Sequence, residues 1–418
     1  MKKYRLILIL ILIFSVNAVY SQDTNDTNNF IDLNNEISQN DVLNITSDYS
    51  FDSKIDANYT NGIVINKNII INGNNHVIDG NGMARIFTIN SSNVILNNLI
   101  VKNAKNYAIF SSNSTITATN ITFLNNTGNK EGGAVHIDNT TLTCENNKFI
   151  DNYGTRFGNA IYATSNSTLN LKNNNFESNK ELYWGLIFIS ESKLIIVDSN
   201  FEKIISKYTP VLYAENMQNI LIRNSRFKNL HASVTAGALG LKENKNTIRI
   251  DNCTFENVSS EKNGGAIYID VNGARISENT FVFINNLKFI NCSSSFGGAY
   301  VQLGGNLTMT NSIFTDNSAF NDGGAVYLSD VKANMQNILF KDNSINELNY
   351  GGALFFDHGT LSMTNTNFTG NNNALYLFDS NYTISNSQFK DNGYNIYSIF
   401  DGINAKTTNC QLSEVKIK

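Results

Sequence analysis

A segment of about 26 residues recurs along most of this chain, and the recurrence restricts the fold before any single residue is interpreted. The stretch Asn311-Ser312-Ile313-Phe314-Thr315-Asp316-Asn317 leads into Gly323-Gly324-Ala325-Val326-Tyr327, and 26 residues after Phe314 the pattern returns as Asn337-Ile338-Leu339-Phe340-Lys341-Asp342-Asn343, then Gly351-Gly352-Ala353-Leu354-Phe355. A repeat this short cannot bury an apolar face by itself. It must stack on its neighbours, so the chain is read as a solenoid.

The Phe position runs through Phe123, Phe149, Phe176, Phe201, Phe227, Phe255, Phe289, Phe314, Phe340, Phe368 and Phe389, with Ile100 standing in at the start. Three residues before it stands Asn or Asp, from Asn97 to Asn386. Three residues after it stand Asn103, Asn126, Asn152 and Asn179, then Ile204, Leu230, Val258 and Cys292, then Asn again at 317, 343, 371 and 392. Asn tolerates the left-handed backbone region, so both Asn positions are read as corners between short strands. The Gly-Gly step supplies a third corner. Stacked corners would align Asn amides about 4.8 Å apart, close enough to bond along the axis.

Alternation sets the faces. Residues five before the Phe position (Ile95, Ala118, Cys144, Leu171 and their equivalents) and seven before it (Ile116, Leu142, Leu169, Leu194) point inward, and Thr117, Thr143, Asn170 and Thr308 between them point to solvent. An all-β single parallel β-helix of about twelve or more coils satisfies the whole pattern, as a rod of roughly 60 Å.

Gly132-Gly133-Ala134-Val135, Gly264-Gly265-Ala266-Ile267 and the Phe-x-x-Asn segments resemble the repeat of polymorphic outer membrane proteins. With the opening Ile69-Ile70-Ile71-Asn72-Gly73-Asn74-Asn75-His76-Val77-Ile78-Asp79-Gly80, the chain resembles the adhesin-like proteins of methanogenic archaea. The resemblance implies an adhesive role at a cell surface. Together with the general chirality of parallel crossovers, it implies a right-handed helix.

At the N-terminus, Lys2, Lys3 and Arg5 precede an apolar run from Leu6 to Phe14, with small residues before Gln22. That pattern reads as a signal peptide over 1–21, too short to span a membrane, and places the mature chain outside the cell or on its surface. Residues 22–61 read as an N-terminal segment in which Phe30, Leu33 and Ile37 recur at helical spacing after Asn28 or Asn29, giving a short capping helix. Residues 62–418 read as the β-helix, atypical over 180–300. About one residue in six is Asn, only one of 418 is Pro, and the net charge of −4 comes without a basic stripe, which argues against a nucleic-acid partner. The four cysteines occupy unrelated positions, and neither a metal site nor a cofactor is implied.

Three sets of residues are candidates for function. Two positions after the Ala of the Gly-Gly-Ala strand stand Tyr162, Phe188, Tyr213, Tyr268, Tyr327, Phe355 and Tyr376, an expected outward aromatic ladder suited to sugar rings or a protein surface, although cross-strand stacking alone also explains it. In the middle coils the outward positions carry Ile195, Leu221 and Phe283, interrupted by Arg249, an apolar patch either covered by the insertion between Ile269 and Phe289 or used for self-association or docking. Local coverage by the insertion is the simpler of the two. Glu177 and Glu202, one after Phe on successive coils, are the best carboxylate pair at a spacing fit for glycoside cleavage, which keeps a lyase or hydrolase of acidic glycans as the rival to a non-catalytic adhesin binding cell-surface glycans or proteins.

Overall fold

The structure is a computed structural model that describes residues 27–244, 246–271, 280–346, 350–399, 405–411 and 415–417. The expected signal peptide lies outside these residues. The fold is a right-handed parallel β-solenoid of about 13 turns with one short helix, α1 (Phe30–Gln39), at its N-terminal end.

The α1 helix starts at Asn29, whose side chain accepts from the Asp32 amide while Asp32 accepts from the Asn29 amide. Asp56 takes the next two free donors, from the Phe30 and Ile31 amides, at 3.1 and 3.0 Å. With its orphan amides held, the helix lays buried Phe30, Leu33 and Ile37 against the first turn. That turn begins earlier than residue 62, where the β-helix was expected to start, because Val42–Asn44 already pairs with Ile70–Asn72.

A typical turn has three strands, as in Val135–Asp138, Thr141–Glu145 and Lys148–Ile150, and each pairs residue for residue with its counterpart one turn on. Identical positions therefore lie above one another. The Phe rings stack from Phe123 to Phe389 at 4.5–5.0 Å, with successive planes 2–14° apart. Strand spacing matches the centroid distance of offset-stacked rings, so each Phe packs on the next along the cylinder.

Alignment of the first turns differs by one residue from the expectation. Val101, not Ile100, pairs with Phe123; Asn98, not Asn97, takes the left-handed conformation; and Ile95 pairs with Thr117 and is exposed while Leu96 is buried. Val94-Ile95-Leu96 and Leu99-Ile100-Val101 are apolar throughout, so composition there does not distinguish the inward residues.

The second Asn position also behaves differently. The corner residue is two after Phe, with Asn125, Asp151, Asp316 and Asp342 at φ 51–57°. The Asn three after Phe points inward and is buried. The Asn343 amide group donates to Phe314 O at 3.0 Å and to Asn371 Oδ1 at 2.9 Å, and its Oδ1 accepts from both the backbone and the side chain of Asn317 at 3.1 and 2.9 Å. Asn126 likewise donates to Val101 O and to Asn152 Oδ1, and Asn152 accepts from both the backbone and the side chain of Asn126 while donating to Phe123 O. Asn179 leaves the ladder and is exposed, with Ser178 buried in its stead. Where Ile204, Leu230 and Val258 replace Asn, the third strand lengthens to seven residues, Asn200–Ser206, Arg226–Ala232 and Thr254–Ser260, and backbone pairing takes over from the amides.

A parallel inward column two before Phe holds Asn147, Asn174, Ser199, Ser225 and Cys253, each accepting from the backbone of the turn before it. Cys144, Cys253 and Cys292 are buried free thiols, and burial pushes each up to about 12. At the Gly-Gly corner the first residue takes positive φ and the second touches the backbone above: a Cβ on Gly265 would lie 1.7 Å from Gly298 O. No side chain fits there.

Replacing Phe340 by Ala is expected to cost about 3–5 kcal/mol by cavity formation, whereas Thr308→Ala should change little. Asn343→Leu is expected to cost about 3 kcal/mol despite its similar size, since it strands Phe314 O and the Asn317 amide in the core. Urea unfolding of the three variants checks the order; an unperturbed Asn343→Leu would remove the inward ladder as a source of stability.

Candidate functional site

The first strand of each turn leaves the Gly-Gly corner with aliphatic residues facing in, so alternate residues face out. Register places Phe110, His136, Tyr162, Phe188 and Tyr213 in one outward column, then Gly240, Tyr268, Val301, Tyr327, Phe355, Tyr376 and Tyr397. The expected ladder is present but more covered than its alternation implies. Tyr162 stacks on Phe188 at 5.0 Å and 9°, Tyr327 on Phe355 at 5.0 Å and 6°, and Phe355 on Tyr376 at 5.1 Å and 10°, so within each run the ring faces cover one another. Phe188 and Tyr376 are buried, at 6% and 5% exposure.

A second row of rings, not singled out in the sequence, flanks the first at the Gly-Gly corner. Tyr107 meets His136 at 4.8 Å, Phe157 meets Phe188 at 4.8 Å, Trp184 meets Tyr213 edge-on at 4.6 Å, and Tyr350 meets Tyr376 at 4.4 Å. These residues precede or replace the corner glycines at irregular spacings, which hid them from a fixed-period reading. Cations sit over several of them: Arg85 lies 5.3 and 5.1 Å from the Tyr107 and Phe110 ring centres, and Lys207 lies 5.0 Å from that of Tyr183.

The column is interrupted twice, with different results. Val301, buried, fills its place. Gly240 does not, and a concavity of about 250 Å³ opens there, lined by Trp184, Tyr208, Thr209, Tyr213, Tyr268, Lys242 and Asp270 among others. Tyr268 donates to Asp270 Oδ2 at 3.2 Å, and Glu215 stands near Tyr213. Burial, followed by the nearby carboxylates, raises both phenols well above their ordinary value. Burial also raises the Glu215 carboxyl, opposed by the nearby Tyr213 phenol and reinforced by Glu243.

On the other side of the first strand a polar groove of about 520 Å³ runs over the next corner, lined by Ser91, Asn93, Asn113, Thr115, Asn139, Thr141 and Asn166 with neighbours. Asn139 donates to Asn113 Oδ1 at 2.7 Å.

The other candidates are separate from this face. Glu177 and Glu202 pair in register on the third strand, beside a depression of about 320 Å³. Their column continues into Lys228 and Glu256, and Glu256 is held by Lys228 at 2.8 Å and Arg226 at 2.7 Å, the pattern of a charge ladder. Ile195, Leu221 and Phe283 share the outward face of the second strand, with Arg249 between the last two and bonded to Asp251 at 2.6 Å. Ile195 remains 39% exposed and Phe281 is 44% exposed. Residues 272–279 of the insertion, expected to cover the patch, lie outside the described residues. Among the described residues no group of His, Cys, Asp or Glu is arranged to hold a metal ion, and no helix is long and apolar enough to cross a membrane.

Residues 272–418 match the family described as right handed beta helix region. No curated protein matches the chain. Among solved structures, tailspike protein 3 of bacteriophage CBA120 is similar over 94% of this chain at 14% identity and a TM-score of 0.48; this chain spans 60% of the tailspike's length. PfbA, a surface adhesin of Streptococcus pneumoniae, is similar over 85% of each chain at 11% identity and a TM-score of 0.30.

His136 allows the packing of the aromatic row to be tested by pH. It lies between Phe110 and Tyr162, and burial lowers its imidazole from 6.5 to about 4, with Arg85 acting in the same direction and Asp138 against it. The unfolded chain takes up the proton near pH 6.5 and the folded chain only near pH 4, so stability is complete above 6.5 and declines as pH falls between those values. Thermal unfolding from pH 7 to pH 4.5 is expected to show a smaller decline for His136→Phe than for the wild type. Equal declines would place the imidazole in contact with water.

Proposed function

We propose that this protein is an exported, surface-associated glycan-binding protein that acts without catalysis, along the lines of an adhesin. The observation that carries this reading is the first-strand face itself. An aromatic row with polar ring edges runs beside a groove of Asn, Ser and Thr side chains, all repeating at the strand spacing. Amides and hydroxyls are donors and acceptors at once, and rings offer apolar area with a polar tip. Sugar polymers present the same two chemistries, hydroxyl edges and C–H faces, in a periodic chain. The contact area of such a face grows with each turn, which gives a long solenoid a use that a single pocket does not require.

Export rests on the N-terminal pattern of basic residues, apolar run and small residues. The apolar patch around Ile195 and Leu221 is a place where a protein partner or a second copy would dock. Hydrolysis or elimination on acidic glycans is the competing activity, and Glu177 with Glu202 is the pair that would perform it.

A glycan array probed with the mature chain, run beside a reducing-end release assay on the glycans retained, tests the reading. Retention of surface polysaccharides without release of reducing ends is the expected outcome. Release that disappears in Glu177→Gln or Glu202→Gln would replace the adhesin with an enzyme, and an array with no retained glycan would leave the binding reading without support.

A further inference from the structure

We infer that the break at Gly240 is a discrete subsite for one electroneutral pyranose residue of a polysaccharide. The inference rests on the glycan-binding reading above and narrows it to a place and a class of sugar. Within an unbroken run of the aromatic row, each ring face is covered by the next ring about 5 Å away, as between Tyr162 and Phe188. A sugar can reach only ring edges there. Stacking of a pyranose C–H face needs an uncovered aromatic face, and the row uncovers one only where a ring is missing and what takes its place is too small to fill the gap, as the Thr209 side chain is beside Gly240.

Gly240 is that position. It pairs with Tyr213 in the preceding turn and Tyr268 in the following one, so the two phenols stand two strand spacings apart, about 9.6 Å. Tyr213 stands 5.8 Å from Phe188, where other stacked neighbours in the row lie near 5 Å. Trp184 closes one side, stacked on Tyr208 at 4.3 Å. The enclosed volume of about 250 Å³ lies just below the range of about 300–1,000 Å³ for drug-sized ligands, which fits one sugar unit rather than two. Val301 interrupts the same row without leaving space, so the opening is not a general consequence of losing a ring.

The charges select the sugar. Register lines up Glu215, Lys242 and Asp270 at the end of the strand, and Lys242 lies 3.4 Å from Glu243. The charged residues that line the opening, Asp270 and Lys242, balance each other, and beyond them Glu215 and Glu243 are set against Lys207 over the Tyr208 ring, so among the described residues no surplus cation is present to hold a uronate or other acidic sugar. A neutral sugar instead finds acceptors at the rim: Asp270, oriented by Tyr268 at 3.2 Å, and Glu215 near Tyr213. Hydroxyls donating to these carboxylates would make charge-assisted bonds at the rim of an aromatic slot.

The protein contains one tryptophan, Trp184, and it lines the opening. Its emission therefore reports occupancy at this place. The mature chain is titrated with neutral gluco-, manno- and galacto-oligosaccharides and with oligogalacturonate, while the glycan array is read in parallel. Saturable change of Trp184 emission by a neutral series, weakened about tenfold by Tyr268→Ala and abolished by Gly240→Tyr, is the expected result. The glycine replacement is made with Thr209→Ala, because a Cβ at 240 would meet Thr209 Oγ1 at 2.6 Å. Thr308→Ala, on the second strand and away from the row, should leave the titration unchanged. Glycan retention on the array with silent Trp184 emission, or with both notch variants binding like the wild type, overturns the subsite and leaves the broader reading standing. Preference for oligogalacturonate overturns the charge argument. Loss of all binding in array and titration alike removes both readings.

Discussion

Everything in this molecule depends on a coincidence of lengths: parallel strands stack about 4.8 Å apart, which is close to the centroid spacing of offset-stacked aromatic rings and to the reach of one Asn amide to the next. Because pairing is one to one along the turns, a residue chosen at one position is chosen again directly above itself. Phe on Phe then packs at 4.5–5.0 Å, and Asn on Asn bonds at about 2.9 Å, without any turn having to adjust. A side chain of the wrong length is felt in two neighbours at once. That is why the columns are so nearly uniform, and why the asparagine content is a structural quantity and not a sign of disorder.

The same rule that builds the core restricts the surface. Outward rings in register stack as readily as inward ones, and in stacking they cover the faces that a ligand would use. A perfectly regular row is therefore a poorer binding surface than an interrupted one. Function on such a fold is expected at departures from the repeat, and the departures cluster between residues 180 and 300. Trp184-Gly185 and Thr209-Pro210 take the place of Gly-Gly, Ala236 takes the left-handed conformation usually left to glycine, and Gly240 removes one ring. All line or adjoin the same opening.

The sequence made the fold legible because the Phe and Gly-Gly-Ala positions carry residue types that tolerate few alternatives. It was less informative where neighbours share a chemistry. Asn125 and Asn126 are indistinguishable by type, yet one turns the chain and the other points its amide into the core. Val94-Ile95-Leu96 is apolar at every step, so burial there is decided by the turn above. The aromatic column was readable and its covering was not, since Tyr107, Phe157, Trp184 and Tyr350 reach it from corners of unequal length. Gly240 was visible only as a gap between Tyr213 and Tyr268, and an absent side chain acquires meaning only once its neighbours are placed.

The middle turns show how the scaffold accommodates such departures. With Ile204, Leu230 and Val258 in the third column, the inward amide ladder stops, and its hydrogen bonds must be recovered elsewhere. They are recovered by the backbone: the third strand continues through the corner, and Ile204 to Ser206 pair with Leu230 to Ala232, then with Val258 to Ser260. Lys203, Asn229 and Asn257 still take positive φ, so the bend survives while the strand runs on. An extended strand holds the following corner by its ladder, and after two of the three such strands the first glycine of the corner gives way to Thr209 and Ala236. Gly264-Gly265 is kept after the third, and Trp184 follows a strand of ordinary length, so strand extension permits the loss of Gly-Gly without dictating it; the opening at Gly240 lies where backbone pairing has replaced the amide ladder.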